Sequence, residues 1–309
     1  MEKNSKILIT GHTGLVGSAI FRKLKEQNYS NLITKEFPNL DLTRQAETEN
    51  FIKTKKPEYI FLAAGKVGGI YANNSYPAEF IYQNIMIESN VIHCAYLYGV
   101  KKLLFFGSSC IYPKYAKQPI KEKYLLTNKL EPTNEPYAIA KIAGIKICQA
   151  YNKQYNTNFI SVMPTNLYGP GDNYNLETSH VLPALIRKFH EAKINNRPYV
   201  KLWGSGTPKR EFLYVDDLAD ASIFLMNKYN ETEFVNIGIG LDISIKELAN
   251  KIKNIVGYQG DIRWDTTKPD GTPQKLLNVD KLHNLGWKHS YSLTEGITRS
   301  YQWFLQNYG

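Results

Sequence analysis

The sequence has 309 residues, enough for roughly two structural units, and 43% of them are hydrophobic, which supplies a sizeable core. With 21% charged residues, 14 prolines and 21 glycines, the composition excludes a disordered, fibrous or low-complexity protein. The longest apolar run, at 59–65, is far shorter than the roughly 20 residues of a membrane-spanning helix. The charged N-terminal residues pass directly into a strand-like run, which predicts that there is no signal peptide.

The formal net charge of +10 comes from lysines and arginines that are scattered along the chain. Nucleic-acid binders cluster their cations against phosphates, so we expect no nucleic-acid partner, whereas a small phosphate-bearing substrate suits this charge. Three cysteines, Cys94, Cys110 and Cys148, are odd in number and share no metal-binding spacing. They predict neither a disulfide framework nor a metal site, and they favour a reducing cytoplasm.

The first half of the chain alternates short apolar runs with amphipathic stretches. Strands are predicted at 6–10, 31–34, 59–63, 103–107 and 159–163. Helices are predicted at 15–26, 45–53, 78–98 and 137–155. Repeated strand–helix units of this kind favour an α/β fold with a Rossmann-type, doubly wound parallel sheet.

The second half follows a less regular pattern, with loops rich in Gly, Pro and Asn. Helices are predicted at 182–193, 217–227 and 244–256, and a strand at 211–215 is expected to return to the main sheet. We therefore predict a nucleotide-binding domain at 1–165 to which 210–235 returns. Residues 166–209 and 236–309 are expected to form a smaller, interleaved substrate lobe, with the substrate cleft between the two.

A glycine-rich run follows the first predicted strand and opens the first predicted helix. It consists of Gly11, His12, Thr13, Gly14, Leu15, Val16 and Gly17. Glycines at this place permit a tight turn and a close backbone approach to a pyrophosphate on the helix N-terminus. The run therefore predicts a dinucleotide site.

Tyr137 and Lys141 are four residues apart, which places a phenol and an ammonium on one helix face. A nearby cation is expected to lower the pKa of the phenol and make it a usable acid or base. Gly107 and Ser108 end the fourth predicted strand, where such sheets bind ligands, so the serine can share a substrate oxygen with the tyrosine. This Ser–Tyr–Lys set, with the glycine-rich turn, resembles the signature of the short-chain dehydrogenases/reductases.

Longer blocks resemble one branch of that superfamily, the GDP-L-fucose synthase family. They are KVGGIYANNSYPAEFIYQN at 66–84, GSSCIYPK at 107–114, LEPTNEPYAIAKIAGIK at 130–146, SVMPTNLYGPGDNY at 161–174, SHVLPALIRKFHEAK at 179–193, WGSGTPKREFLYVDD at 203–217 and KPDGTPQKLLNV at 268–279. The resemblance implies a 3,5-epimerase/4-reductase that acts on a GDP-4-keto-6-deoxy-mannose type of sugar. It also implies a homodimer formed through the two long helices at 78–98 and 137–155.

The resemblance implies a role for each matching residue. Cys110 and His180 correspond to the acid–base pair that inverts the carbons beside the ketone. Tyr137 would protonate the C4 oxygen, Lys141 would hold the nicotinamide ribose, and Ser108 would steady the developing alkoxide. Further cofactor contacts are expected at Asp41, Gly107, Pro164, Asn166, Leu167 and His180. Sugar-nucleotide contacts are expected at Lys188, Trp203, Arg210 and Asp270.

The cofactor itself has two candidate partners after the second strand. Lys35 suits the 2′-phosphate of NADP, whereas the adjacent Glu36 suits the 2′-hydroxyl of NAD. The family uses NADPH, so we expect NADPH with Lys35 as the phosphate contact, and NAD stays open. Thr13 stands where members of the family commonly carry an arginine, which weakens the phosphate site.

Three other functions compete with this interpretation. The family's relatives include reductases of GDP-4-keto-6-deoxy-heptoses in capsule biosynthesis, so one alternative is C4 reduction without epimerisation. A nucleotide-sugar 4,6-dehydratase needs an acidic residue soon after the catalytic serine, and residues 109–111 offer none. A binding module without turnover typically lacks the tyrosine and the lysine, and both are present in this sequence.

Overall fold

The computed structural model describes residues 1–268 and 270–309. The strands are β1 Ile7–Thr10, β2 Leu32–Ile33, β3 Tyr59–Leu62, β4 Lys102–Phe106, β5 Phe159–Pro164, β6 Asn166–Tyr168, β7 Tyr199–Trp203, β8 Lys209–Tyr214, β9 Val235–Ile237, β10 Asp242–Ser244, β11 Asp261–Asp265 and β12 Gln274–Lys275. The helices are α1 Leu15–Glu26, α2 Gln45–Lys55, α3 Ile70–Ser75, α4 Pro77–Leu97, α5 Glu135–Tyr155, α6 Val181–Ile194, α7 Val215–Lys228, α8 Ile245–Val256, α9 Asp280–Asn284 and α10 Leu293–Tyr308.

The main sheet is parallel throughout and has the strand order β2-β1-β3-β4-β5-β9. From β1 the chain first adds β2 on one side and then returns to add β3 on the other side, so the strand order switches between β1 and β3. Ligands bind at the carboxyl ends of the strands at such a switch point. The predicted Rossmann-type fold is confirmed.

The prediction that residues 211–215 return to the main sheet is wrong. Residues 209–214 form β8, which lies in a separate small sheet and pairs with β6, β10 and β12. The sixth strand of the main sheet is β9, whose three residues are all buried. An apolar run in the sequence does not show whether a strand belongs to the main sheet, as β9 does, or to the small sheet, as β8 does, because both strands are covered by protein.

Alternating side chains of the strands point to opposite faces of the main sheet. Ile7 and Ile9 of β1 pack with α1 and α7 on one face, whereas Leu8 packs with α2, α4 and α5 on the other. No helix in the described part of the chain combines the length and the apolar character needed to cross a membrane.

The second lobe has its own core, built mainly from α6, α8 and α10 against its small sheets. Helices α8 and α10 each begin with a capping box, in which Ser244 pairs with Glu247 and Ser292 with Glu295.

A buried carboxylate joins the two lobes. Glu211 of β8 is 0% exposed. Its Oε1 accepts hydrogen bonds from the backbone N–H groups of Ile239 and Gly240, both at 2.7 Å, and its Oε2 accepts one from Leu277 at 3.0 Å. The segments that follow β9 and β12 are therefore both anchored on one side chain.

Candidate active site

The glycine-rich turn lies at the carboxyl end of β1 and is shaped for close backbone packing. Gly11 has φ +68°, and a Cβ there would lie 2.9 Å from the Ala64 backbone. A Cβ on Gly17 would overlap the Gly11 carbonyl. Larger residues therefore do not fit at either position, and the first turn of α1 approaches the strand edge directly.

The start of α1 offers its backbone N–H groups to a ligand. Gly14 is the N-cap, and among the described residues no side chain caps this end of the helix. The buried His12 Nδ1 likewise has no hydrogen-bond partner among the described residues. Uncapped N–H groups and an orphaned ring nitrogen fit the pyrophosphate of a dinucleotide. Thr13 is exposed here, and Leu15 and Val16 pack on the core below.

Two predicted cofactor residues lie near the end of β2. Lys35 is exposed and follows the last residue of β2 by two positions. The Asp41 carboxylate is engaged locally, because its Oδ1 accepts hydrogen bonds from Thr43 N at 2.9 Å and from Thr43 Oγ1 at 2.7 Å. Asp41 therefore stabilises the turn before α2, and its Oδ1 is already hydrogen-bonded to Thr43.

The remaining predicted cofactor residues lie at the ends of β4 and β5. Gly107 follows β4 and is buried, and Pro164 ends β5. Asn166 Nδ2 donates to the Glu211 carbonyl oxygen at 2.7 Å, so this side chain fastens β6 to β8. Leu167 packs on the main core.

The serine, tyrosine and lysine converge between β4 and α5. Ser108 Oγ accepts the Cys110 N–H at 3.2 Å, and its side chain partly offsets the rise in the pKa of the Tyr137 phenol. The Tyr137 ring is half-buried and packs edge-on against Phe80, with 6.1 Å between ring centroids. The Lys141 ammonium lies 5.8 Å from the centre of the Tyr137 ring and forms a 2.8 Å ion pair with Glu88.

The pKa of the Tyr137 phenol differs from the sequence-based expectation. Burial, followed by the charges of Cys110 and Glu88, raises this pKa well above its usual value, and the hydrogen bond with Ser108 opposes the rise. We expected Lys141 to lower it. Burial is the main reason for the difference, and the ammonium of Lys141, which pairs with Glu88, is not among the groups that offset it.

Cys110 lies on the other side of Ser108, in a polar environment. Asn134 Nδ2 donates to the Cys110 sulfur at 3.2 Å, and Lys275 Nζ lies 3.9 Å from the same atom. A hydrogen-bond donor and a cation both stabilise a thiolate, which is the form that accepts a proton. The thiol is half-buried and is therefore reachable from the cleft.

His180 is the N-cap residue of α6 and remains open to solvent in the cleft. Desolvation of the imidazole by the surrounding protein lowers its pKa, and the positive charge of Lys275 lowers it further. Lys275 therefore lies next to the Cys110 sulfur, and its charge also reaches the imidazole of His180.

Sequence reasoning missed Lys275, Asn134 and Glu88. Lys275 and Asn134 lie inside the blocks KPDGTPQKLLNV and LEPTNEPY that carry the family resemblance, but neither has a spacing rule that links it to Cys110. Glu88 lies in a mainly apolar helix, and an acid at a position that faces the core is the signal that was available.

We expect Lys275→Met to slow the alkylation of Cys110 by iodoacetamide about tenfold at neutral pH, because the thiolate loses its nearest cation. The assay reports Cys110 selectively, since Cys94 and Cys148 are buried and burial raises their pKa values to about 11 and about 12. Mass spectrometry locates the adduct. Lys53→Met, on the exposed side of α2, is the control and should leave the rate unchanged. An unaltered rate in Lys275→Met would contradict this role of the lysine.

The predicted sugar-nucleotide residues line the second lobe. Trp203 is 63% exposed, with Lys188 Nζ 5.8 Å and Lys268 Nζ 5.5 Å from its ring centroid. Arg210 is half-buried in β8. Burial lowers the pKa of its guanidinium, and the negative charge of Asp270 opposes this effect. The Asp270 carboxylate accepts hydrogen bonds from Ser205 N at 2.7 Å and from Ser205 Oγ at 2.8 Å, so it fastens the loop after Trp203.

Comparison with known proteins shows the family to which the chain belongs. Residues 7–238 match the NAD dependent epimerase/dehydratase family. GDP-L-fucose synthase 1 of Arabidopsis thaliana is 60% identical over 306 residues, which cover 99% of this chain and 95% of that protein. The structure of a GDP-6-OMe-4-keto-L-xylo-heptose reductase from C. jejuni is 40% identical, with a TM-score of 0.94 and 99% of each chain covered. A GDP-L-fucose synthetase from Naegleria fowleri bound to NADP is 32% identical, with a TM-score of 0.93, and covers 100% of this chain and 95% of that one. The chain therefore belongs to the GDP-L-fucose synthase family.

Proposed function

We propose that this protein is an NADPH-dependent 3,5-epimerase/4-reductase that converts a GDP-4-keto-6-deoxy-hexose of the mannose type to GDP-L-fucose or a closely related GDP-sugar. The observation that carries the proposal is the pairing of two chemical centres in one cleft. Lys275 Nζ lies 3.9 Å from the Cys110 sulfur and its charge lowers the pKa of His180, while Ser108 accepts the Cys110 N–H and its side chain acts on the phenol of Tyr137. One centre suits proton transfer at carbon, and the other suits proton delivery to a ketone oxygen.

The first lobe is proposed to hold the cofactor, and the second lobe the GDP-sugar. The backbone of the turn from Gly11 to Gly17 would bind the pyrophosphate, and Lys35 the 2′-phosphate. NADPH, when bound, supplies the hydride that reduces the C4 ketone. In the second lobe, Lys188 and Arg210 are suited to the diphosphate, since charge-assisted hydrogen bonds to phosphate are strong. Trp203 offers a flat apolar surface for the base or a ribose.

Epimerisation is assigned to Cys110 and His180. The C4 ketone acidifies the hydrogens on C3 and C5, so a base removes one and an acid returns a proton from the opposite face. The thiolate of Cys110, next to Lys275, is the base in this scheme, and the His180 imidazole is its partner. Reduction follows, in which the Tyr137 phenol protonates the C4 oxygen and Ser108 hydrogen-bonds the same oxygen.

The choice between hexose and heptose is tested by the product. The 60% identity to a fucose synthase, against 40% to a heptose reductase, favours the mannose type of substrate. We expect turnover to be fastest with GDP-4-keto-6-deoxy-mannose in a panel of GDP-4-keto-6-deoxy sugars, with inversion at C3 and C5 seen by NMR. A product reduced at C4 without inversion, formed fastest from a heptose, would replace the proposal with the reductase-only alternative.

Lys35→Ala is expected to lower kcat/KM for NADPH by roughly 10- to 100-fold and to leave the value for NADH unchanged, because a charge-assisted contact to the 2′-phosphate is lost. Lys53→Ala, on the exposed side of α2, is the matched control. Steady-state rates with both cofactors measure the effect. A wild-type preference for NADH, or an NADPH constant that Lys35→Ala does not alter, would overturn the assignment.

The proposal extends to assembly and location. Helices α4 and α5 pack against each other and expose large apolar side chains, among them Tyr82, Leu97, Ile139 and Tyr155. This surface is proposed as the homodimer interface, which size-exclusion chromatography with light scattering can test.

The proposed location is a reducing cytoplasm, which suits the three free thiols. The proposed GDP-sugar product suits the synthesis of a capsule or another surface polysaccharide.

A further inference from the structure

A buried acid in α4 forms an ion pair with one of the residues assigned to reduction. The side chain of Glu88 is 1% exposed, and its carboxylate lies 2.8 Å from the ammonium of Lys141, whose side chain is 5% exposed. Lys141 is the cation paired with this carboxylate, which receives no hydrogen bond from the rest of the described chain. Because an isolated buried charge is strongly disfavoured, each of these two groups requires the other.

The packing of α4 on α5 is built to admit this pair. A Cβ on Gly144 would lie 2.7 Å from Glu88 Oε2 and would also overlap the Phe105 ring. The same Phe105 ring lies 4.9 Å from the Lys141 ammonium. Lys141 is therefore held between a carboxylate and an aromatic face, one helical turn from Tyr137.

The titratable groups around Tyr137 come from three elements. Cys110 lies in the turn after β4, Glu88 in α4 and Lys141 in α5, and Cys148 of α5 is affected by the charge of Glu88. Burial raises the pKa of Cys148 to about 12, so this thiol carries no charge near neutrality. Burial also raises the pKa of Glu88, and the charge of Lys141 opposes that rise. Lys141 is the cation of this group, and Glu88 is the anion that offsets it.

We propose that Glu88 is a positioning residue which neutralises Lys141 and so keeps the proton on the Tyr137 phenol until it is transferred to the substrate. The inference rests on the proposed reduction. In that step the C4 oxygen gains the Tyr137 proton while C4 gains a hydride from NADPH, leaving NADP⁺ and a tyrosinate that solvent reprotonates. An unpaired Lys141 would instead stabilise the tyrosinate and remove the acid before the substrate arrives.

The test is an absorbance titration of the protein without substrate or cofactor. Tyrosinate absorption at about 295 nm is followed with pH, and subtracting the same curve for a Tyr137→Phe variant isolates the phenol of Tyr137. In the wild-type background the phenol should stay protonated through about pH 10. In Glu88→Gln its midpoint should fall by at least about one pH unit, and the alkaline loss of reductase activity should move with it.

Two controls separate charge from structure. Glu88→Asp keeps the carboxylate and should keep the midpoint high, and Glu58→Gln removes one partner of the exposed Glu58–Lys101 pair and should change nothing. An unshifted Tyr137 midpoint in folded Glu88→Gln would overturn the proposal. If Glu88→Gln fails to fold, Glu88→Met, which fills a similar volume without a charge, replaces it in the titration, and an unshifted Tyr137 midpoint in that variant would likewise overturn the proposal. Failure of the sugar panel to be reduced would refute the proposed function and leave this titration intact.

Discussion

Tyr137→Phe is expected to lower the rate of C4 reduction by about 10²–10⁴-fold while hydrogen exchange at C3 and C5 continues. The hydroxyl of Tyr137, whose pKa is influenced by the side chain of Ser108, is the group proposed to protonate the ketone oxygen. Exchange is proposed to depend on Cys110, whose sulfur lies 3.9 Å from Lys275 Nζ, and on His180. The phenyl ring keeps its edge-on packing against Phe80, so the fold should be preserved.

The measurement separates the two half-reactions of one enzyme. NADPH oxidation is followed by absorbance, and deuterium incorporation from heavy water is followed by NMR of the GDP-sugar. Tyr112→Phe, which removes a buried hydroxyl that donates to Asn236, is the matched control and should retain reduction. Loss of deuterium incorporation together with reduction in folded Tyr137→Phe, with substrate binding intact, would contradict the division of labour.

Cys110→Ser is expected to lower deuterium incorporation at the carbons beside the ketone by at least about 10²-fold. A serine hydroxyl is a far weaker acid than a thiol, so it presents almost no oxyanion to accept a proton near neutrality, even beside Asn134 and Lys275. The size of the side chain hardly changes, so Ser108 and Tyr137 should keep their positions.

Reduction gives the internal control for this variant. A substrate that already carries the inverted configuration should still be reduced by Cys110→Ser, because Tyr137 is unaltered. Cys148→Ser, in the buried part of α5, tests whether loss of any thiol has the same effect. Undiminished exchange in Cys110→Ser would assign epimerisation to other residues. An absence of exchange in the wild type with every sugar of the panel would favour the reductase-only alternative.

The sequence predicted five of the six strands of the main sheet, because these strands are short apolar runs between helices with clear ends. Helix α1 has the predicted bounds, α4 is shifted by one residue at each end, and α5 begins two residues earlier than predicted. The placement of β8 could not be predicted, since its partners β6, β10 and β12 are distant in sequence and its apolar pattern resembles that of a main-sheet strand.

Residue identity and chain position were enough to place Tyr137, Lys141 and Ser108 in one region, since all three follow from a helix and the end of one strand. The effect of Lys141 on the phenol could not be predicted, because it depends on Glu88 from another helix. Likewise, the cation beside Cys110 comes from Lys275, 165 residues further along the chain. Contacts of this kind are set by tertiary packing and leave no local pattern.

The anchoring by Glu211 has a consequence for how substrate choice can diverge within this architecture. The strand that ends in Lys275 is tethered to a fully buried carboxylate, through Leu277, and so is the segment after β9. The loop after Trp203, by contrast, is fastened at the surface by Asp270 and Ser205. Under the proposed function, we therefore expect substitutions in that loop to change which sugar nucleotide is accepted while Lys275 stays beside Cys110. A directed library confined to that loop would be the way to seek new substrates without altering the proposed proton-transfer groups.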